Sequence, residues 1–231
     1  MIKTSIIIPA FNEQATIIEI LELVARQRID GVEFEVIVID DCSTDRTVAL
    51  LEERPDLYGK FVKLSINGGK GAAVRAGLGI ATGDYVLFQD ADLEYDPNDY
   101  GKLLEPVLRF NADVVMGSRM VASPITRVSY FWHKVGNRLI TLLFNLLNNV
   151  TFTDVYSCYL LYRRSLVPVT SLTTDGWEQH AEILTRAISK GKSFYEVPIS
   201  YYGRTYDEGK KIRAHHVLPV IWTIFAKRLG L

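Results

Sequence analysis

Hydrophobic positions in the first half of the chain fall into short runs separated by stretches of helical spacing. Thr4–Pro9, Phe34–Asp40, Phe61–Ile66, Asp84–Gln89 and Ala112–Met116 are β-branched runs. Four of them are nearly continuously apolar, the pattern of strands covered on both faces. Phe61–Ile66 alternates more, as an edge or half-exposed strand would. Between the runs, Ile17, Ile20, Leu21 and Val24 share one helical face. Ser43 is placed to cap a helix carrying Val48, Leu50 and Leu51. Lys70–Ala81 is rich in alanine and follows Gly68-Gly69. Pro97 stands where a first-turn proline is tolerated, ahead of Leu103, Leu104, Val107 and Leu108. This alternation predicts an α/β fold: a doubly wound, mostly parallel sheet flanked by helices. Such sheets bind ligands at the carboxyl ends of their strands, so the chemistry is expected just after Ile8, Ile39, Ile66 and Phe88.

The second half is less regular. Val128–Val150 reads as an apolar helix, Trp177–Lys190 as an amphipathic one, and Val217–Leu229 as apolar nearly all round. Tyr159–Tyr162 and Phe194–Ser200 read as strands. Repeats, low-complexity tracts and long linkers are absent from the sequence, so residues 1–231 are expected to form a single domain. The longest uncharged stretch, Leu139–Thr153, contains three asparagines. It falls short of the roughly 20 apolar residues that a spanning helix needs. The N-terminal apolar segment Ile6-Ile7-Ile8 lacks a cleavage site and reads as a strand rather than a leader.

Composition narrows the function classes. In 231 residues there are 26 Lys+Arg and 27 Asp+Glu, a net charge of −1, which argues against a general nucleic-acid binder. Charged residues at 23% and hydrophobic ones at 48% are globular values. The two cysteines, Cys42 and Cys158, allow one disulfide but form no zinc pattern, and a reducing, cytoplasmic compartment is expected.

Four polar groups fall at strand ends. Asp90-Ala91-Asp92 directly follows a strand. Residues i and i+2 of an extended chain point the same way, so both carboxylates can face one hard cation, Mg²⁺ or Mn²⁺, with a diphosphate as co-ligand. Read blandly, the same triplet is a solvated turn. Asp41, before Cys42-Ser43-Thr44-Asp45, is placed to accept hydrogen bonds from a base or ribose, or to act as a cap like its neighbours. Asn67-Gly68-Gly69-Lys70-Gly71 lies between a strand and a helix. It offers close backbone approach and the Lys70 charge to a phosphate, or is a plain turn; it is neither a dinucleotide fingerprint nor a P-loop. Pro9-Ala10-Phe11-Asn12-Glu13 brings a ring that can stack on a base and a carboxylate that can bond one. Together the four groups describe a nucleotide-diphosphate pocket with a metal.

At this point the sequence resembles family 2 glycosyltransferases, specifically the dolichol-phosphate mannose synthase-like branch. The segments Pro9–Glu13, Asp40–Thr47, Asn67–Gly77, Asp90–Tyr95 and Gly117–Arg119 occur in that family's order and spacing. The resemblance implies a GT-A fold, a nucleotide-diphospho-sugar donor, a divalent cation and inversion at the anomeric carbon. It divides the chain into a nucleotide-sugar-binding half, 1–119, and an acceptor-binding half, 120–231. By position it implies that Pro9, Ala10, Phe11, Glu13, Ile39 and Asp41 line the base and ribose, with Lys70 near the nucleotide. Asp90, Ala91, Asp92 and Glu94 match the metal and diphosphate segment, Asp90 and Asp92 being the metal ligands; the branch often has Gln where Glu94 stands. Arg119 matches an arginine that reaches donor and acceptor phosphates. Gly176–Glu182 resembles the acceptor-side helix, with His180 where Gln is frequent, and Glu196–Ile199 matches a further motif. After Arg204, Gly209-Lys210-Lys211 departs from the usual shorter interval and Gly-x-Ser-Lys.

Acceptor chemistry separates the remaining readings. A hydroxyl acceptor needs a general base, for which His180 and Glu182 are candidates. A phosphate monoester, with its second pKa near 6, is already anionic and needs only positive charge for positioning. Arg119, Lys134, Arg138, Arg204 and Lys211, with Asn137, are the expected acceptor-phosphate residues. Apolar surface beside clustered cations suits a polyprenyl phosphate at a membrane interface. The expected activity is therefore metal-dependent, inverting transfer of a sugar to a polyprenyl or dolichyl phosphate by an enzyme peripheral on a cytoplasmic membrane face. The rivals are transfer to a protein, polysaccharide or small hydroxyl acceptor, and a non-catalytic nucleotide-sugar-binding module. The sugar, the base, Mg²⁺ against Mn²⁺ and the oligomeric state are left open.

Overall fold

A computed structural model describes residues 1–121, 131–204 and 217–229. The strands are β1 (Ile2–Ala10), β2 (Val32–Asp40), β3 (Lys60–Lys63), β4 (Tyr85–Phe88), β5 (Val114–Ser118), β6 (Leu160–Arg163) and β7 (Phe194–Pro198). The helices are α1 (Ile17–Ala25), α2 (Thr47–Glu53), α3 (Lys70–Ile80), α4 (Tyr100–Phe110), α5 (Phe131–Asn148), α6 (Gln179–Lys190) and α7 (Val217–Arg228). The strands form one sheet in the order β3-β2-β1-β4-β6-β5-β7. Every pairing is parallel except the two made by β6.

Burial explains the sheet's centre and edge. Ile6, Ile7 and Ile8 of β1 are fully buried, so both faces of that strand are covered. The alternating strand β3 lies at the edge, half-exposed, and ends at Lys63 rather than running on to Ile66. β6 inserts between β4 and β5, which separates two strands consecutive in the chain.

Two close packings aim the site. α3 lies on the sheet through Gly77, where an added Cβ would come within 2.7 Å of the Ile7 side chain. Gly71, in the first turn of α3, lies against the backbone of Asp175, and the Ala72 N–H donates to the Asp175 carbonyl at 3.2 Å. This contact brings the segment before α6 against the start of α3. A Gly71→Ala side chain would overlap that backbone, which cannot rotate away as a side chain can. Overpacking of about 1–3 kcal/mol is expected, a loss of roughly 2–12 °C in Tm for a chain of this size. Thermal melts check this; an unchanged Tm would show the segment to be loosely held.

Gln89, fully buried at the end of β4, fixes the backbone that follows. Its carbonyl oxygen accepts from the Tyr100 and Tyr159 hydroxyls, both at 2.8 Å, and its nitrogen donates to the Asp90 carbonyl at 3.1 Å. In the second half, α7 packs on α6 and α5. Phe131, Trp132, Leu139, Leu142 and Leu146 of α5 stay exposed, as do Leu218 and Trp222 of α7. Among the described residues, no helix is long and apolar enough to cross a membrane.

Candidate active site

The loop after β1 and the loop after β2 are tied to each other. The Asn12 N–H donates to the Ser43 hydroxyl at 2.9 Å, and the Thr44 N–H to the Asn12 side-chain oxygen at 2.8 Å. Asn12 and Cys42 hold positive φ of 53° and 63°, which turn the chain sharply out of each strand. Ser43 therefore joins two loops instead of capping α2. Asp45 serves that helix, accepting from the Thr47 N–H at 2.9 Å. Asp41 organises the glycine loop: its two carboxylate oxygens accept from the N–H groups of Gly68 and Gly69, each at 2.8 Å. Gly69, at φ 87°, makes a turn that other residues rarely adopt.

These loops wall a cavity of about 330 Å³ at the carboxyl ends of β1, β2 and β4. Pro9, Ala10, Phe11, Glu13, Asp41, Lys70, Asp90, Ala91, Asp92 and Glu94 all line it. Thus the structure brings together the four strand-end groups. Ile39 stays out of the cavity: fully buried, it faces the layer of α3 near Gly77.

Each central carboxylate has a cationic partner. Lys70 pairs with Asp90, and its ammonium lies 5.1 Å from the centre of the Trp177 ring. Arg204 reaches back from beyond β7, its Nη2 2.5 Å from Asp92 and its Nε 3.4 Å from Glu94. Its Nη1 is 3.9 Å from Glu13. Burial opposes the Asp90 charge, but Lys70 outweighs it and holds the carboxyl below its usual range. Asp92 goes the other way: burial, then the charges of Asp90 and Glu94, push it up to about 7 against the pull of Arg204.

Carboxylates crowded until one resists ionisation are the donor set a hard divalent cation satisfies. Asp90 and Asp92 are the residues that would hold such an ion. Among the described residues, no three or more His, Cys, Asp or Glu side chains converge as a closed metal cage. Further ligands would come from diphosphate and water, the usual arrangement for Mg²⁺.

A second, smaller cavity of about 100 Å³ adjoins the first. Lys70, Asp90, Glu94, Trp177 and Tyr201 line both. Arg119 borders the smaller one. Its Nε and Nη2 bond Asp154 at 2.7 and 2.9 Å, and its guanidinium lies over the Tyr201 ring at 5.0 Å. Asn137 also donates to Asp154, at 2.8 Å. Lys134 and Arg138 are exposed on α5 and line neither cavity. Lys210 and Lys211 lie outside the described residues.

The candidate bases fare differently. Glu182 is fully buried and accepts from Thr173, Thr174 and Arg186, which overcome burial and hold it below its usual range. His180 borders the smaller cavity; burial, helped by the Lys70 charge, lowers it to about 4. Sequence reasoning missed Asp154, Tyr156, Ser157, Cys158 and Tyr201. The first four sit in the loop before β6, where no periodicity or glycine signal marks them. Both cysteines are free.

Residues 5–169 match the family described as Glycosyl transferase family 2. Glycosyltransferase AglJ of Haloferax volcanii is 32% identical over 203 residues, covering 86% of this chain and 63% of the relative. The low-salt glycan biosynthesis hexosyltransferase Agl6 of the same organism is 29% identical over 201 residues, covering 87% of this chain. The chain spans about half of that relative, 48%. Among solved structures, glucosyl-3-phosphoglycerate synthase from Mycobacterium tuberculosis, crystallised with Mn²⁺, UDP and phosphoglyceric acid, superposes with a TM-score of 0.72. It is 21% identical and covers 98% of this chain and 78% of that one, a likeness of fold. The sheet flanked by helices is thus a GT-A-like fold.

Proposed function

The chain belongs to glycosyl transferase family 2, and on that premise we propose that it moves a sugar from a nucleotide-diphospho-sugar of the GDP-mannose or UDP-glucose type to a polyprenyl or dolichyl phosphate, with inversion. The observation that carries this reading is the Asp90–Asp92 pair on a 330 Å³ cavity that Phe11, Glu13 and Asp41 also line. The base and ribose lie along Pro9–Glu13 and Asp41, and the diphosphate beside Lys70 and Asp92. A bound Mg²⁺ or Mn²⁺ supplies charge neutralisation of the departing diphosphate. Lys70 adds a fixed positive charge at the same place, and Arg204, beside Asp92 and Glu94, adds a second. Mn²⁺ and UDP in the crystallised mycobacterial synthase are consistent with this donor half.

Two observations favour a phosphate over a hydroxyl acceptor. Of the two candidate bases, Glu182 has its carboxylate committed to hydrogen bonds, and His180 is held at about 4, a weak base. A phosphate acceptor needs neither. The exposed apolar rows on α5 and α7 are flanked by Lys134, Arg138, Lys227 and Arg228, the composition of a surface resting on anionic lipid. On this reading the enzyme works at a cytoplasmic membrane face as one domain, with 1–119, helped by Trp177 and Arg204, holding the donor and the rest of 120–231 the acceptor.

Flotation with phosphatidylglycerol vesicles and transfer of labelled sugar to polyprenyl phosphate in them test both parts. Co-flotation and label in the lipid phase are expected. A protein that stays in the aqueous phase and glycosylates a soluble hydroxyl acceptor would replace this acceptor assignment with the rival.

A further inference from the structure

Beyond β7 the chain turns back over the acidic loop that follows β4. The Ser200 N–H donates to the buried Asp99 carboxylate at 2.5 Å, and Tyr201 bridges antiparallel to Tyr95. Glu94 then fastens the segment Tyr201–Arg204. Its carbonyl accepts from the Tyr202 N–H at 2.9 Å. One carboxylate oxygen accepts from the Tyr201 hydroxyl at 2.9 Å. The other accepts from the Arg204 N–H at 2.7 Å and from its Nε at 3.4 Å. A single acidic residue thus bonds both the backbone and the side chains of one short segment.

A carboxylate two residues beyond Asp92 would be the obvious further ligand for a hard cation, but its bonds run elsewhere. Both Glu94 oxygens engage the segment after β7, and among the described residues no three or more His, Cys, Asp or Glu side chains converge as a metal cage. Asp92 is engaged differently. Its Oδ2 meets Arg204 Nη2 at 2.5 Å, and its Oδ1 accepts from the Glu94 N–H at 3.1 Å. The guanidinium is therefore held from two sides, through Nε by Glu94 and through Nη2 by Asp92. The Tyr201 ring steadies the segment, 5.1 Å from the Tyr95 ring and beneath the Arg119 guanidinium at 5.0 Å. Asp92, Glu94, Tyr201 and Arg204 all line the larger cavity. An arginine whose planar fork is already fixed loses less freedom on bonding a phosphate than one that rotates freely.

We infer that Glu94 is a positioning residue: it clasps Tyr201–Arg204 to the loop after β4 and so fixes the Arg204 guanidinium where the donor's diphosphate lies, instead of serving as a third ligand of the cation. This rests on the nucleotide-sugar reading above. The clasp needs hydrogen-bonding atoms at position 94 rather than a charge, since an amide there can accept from the Arg204 N–H and donate to the Tyr201 hydroxyl.

The test measures Kd for UDP and GDP by calorimetry, with Mn²⁺ and again in EDTA, in wild type, Glu94→Ala, Glu94→Gln, Tyr201→Phe, Arg204→Met and the double variant Glu94→Ala with Arg204→Met. For the nucleotide that wild type prefers, Glu94→Ala and Arg204→Met are each expected to weaken binding by about tenfold, and by the same factor in EDTA as in Mn²⁺. The double variant should match Arg204→Met to within about twofold, because Glu94 acts through that arginine. Glu94→Gln should stay within about threefold of wild type, and Tyr201→Phe should lose about two- to tenfold. Glu94→Ala leaves Arg204 its Asp92 partner, so no charge is stranded and the variant should fold. A Glu94→Ala loss that vanishes in EDTA, or that persists undiminished in the Arg204→Met background, would make Glu94 a ligand of the cation and overturn the inference. Full affinity in folded Glu94→Ala or Tyr201→Phe would overturn it as well. Failure of wild type to bind either nucleotide would instead overturn the donor reading, and this assignment with it.

Discussion

Asp92→Asn is expected to lower sugar transfer by about 10²–10³-fold at saturating donor and Mn²⁺, equivalent to the several kcal/mol of charge stabilisation a metal gives a departing diphosphate. Asp92 is 9% exposed, stands two residues from Asp90 at the end of β4, and lines the larger cavity. An amide keeps its size and polarity but loses the charge that grips a cation. The fold should survive, because the substitution also removes a charge that burial, and then repulsion from Asp90 and Glu94, disfavours, together pushing this carboxyl up to about 7. The Arg204 contact loses its charge attraction in exchange, though the amide oxygen can still accept from it, so the melting temperature should move little. A folded Asp92→Asn protein retaining more than about a tenth of wild-type transfer would contradict the metal role.

Asp154→Ala is expected to cause the largest loss of stability in the second half of the chain. The carboxylate is fully buried and accepts from Arg119 Nε, Nη2 and backbone N–H and from Asn137. Its own N–H donates to Glu196 at 3.1 Å, which joins the loop before β6 to β7. Truncation takes the carboxylate from a mostly buried guanidinium, which keeps, among the described residues, only the Tyr156 carbonyl at 3.1 Å and the face of the Tyr201 ring, at a cost of about 3–5 kcal/mol. For a chain of this size that lowers Tm by roughly 6–20 °C. Arg119→Met combined with Asp154→Leu should recover much of the loss, since apolar replacement of both partners removes the uncompensated charge. The pair also sets an acid dependence. Burial opposes the Asp154 charge but Arg119 outweighs it, so the carboxyl sits below its ordinary range. Its stabilisation is present above the ordinary carboxyl pKa of 3.8 and is lost as pH falls through the lower folded value. Melts across that acid range should show wild type approaching Asp154→Ala. A single-variant loss below about 1 kcal/mol would mean that Arg119 finds another partner.

The sheet's centre and edge were legible because burial on both faces writes continuous apolar runs, as at Ile6-Ile7-Ile8, while an edge strand such as β3 alternates. The larger cavity was legible for a related reason: parallel strands deliver the residues that follow them to one edge, so Phe11, Asp41, Lys70 and Asp92 had to lie near one another. Strand order was not. Nothing local in Leu160–Arg163 says that it runs antiparallel between β4 and β5.

Side-chain direction was the other gap. Lys134 and Arg138 lie one helical turn apart and share an exposed face, whereas Asn137, Thr141 and Phe144 turn toward the protein. Motif position brought these residues near the site without saying which way each points. Ile39 and Asp41 repeat the lesson in a strand: one joins the core and the other holds the glycine loop. Arg204 was placed with the acceptor phosphate, yet its guanidinium lies among Glu13, Asp92 and Glu94.

The claim beneath all of this is that Asp90 and Asp92 join a divalent ion to a nucleotide diphosphate. Calorimetric titration of UDP and GDP into the wild-type protein, with Mn²⁺ and again after EDTA, tests it most directly. One nucleotide is expected to bind at least about tenfold more tightly with the ion present. Equal affinity with and without it would mean that the two carboxylates hold no ion against the diphosphate.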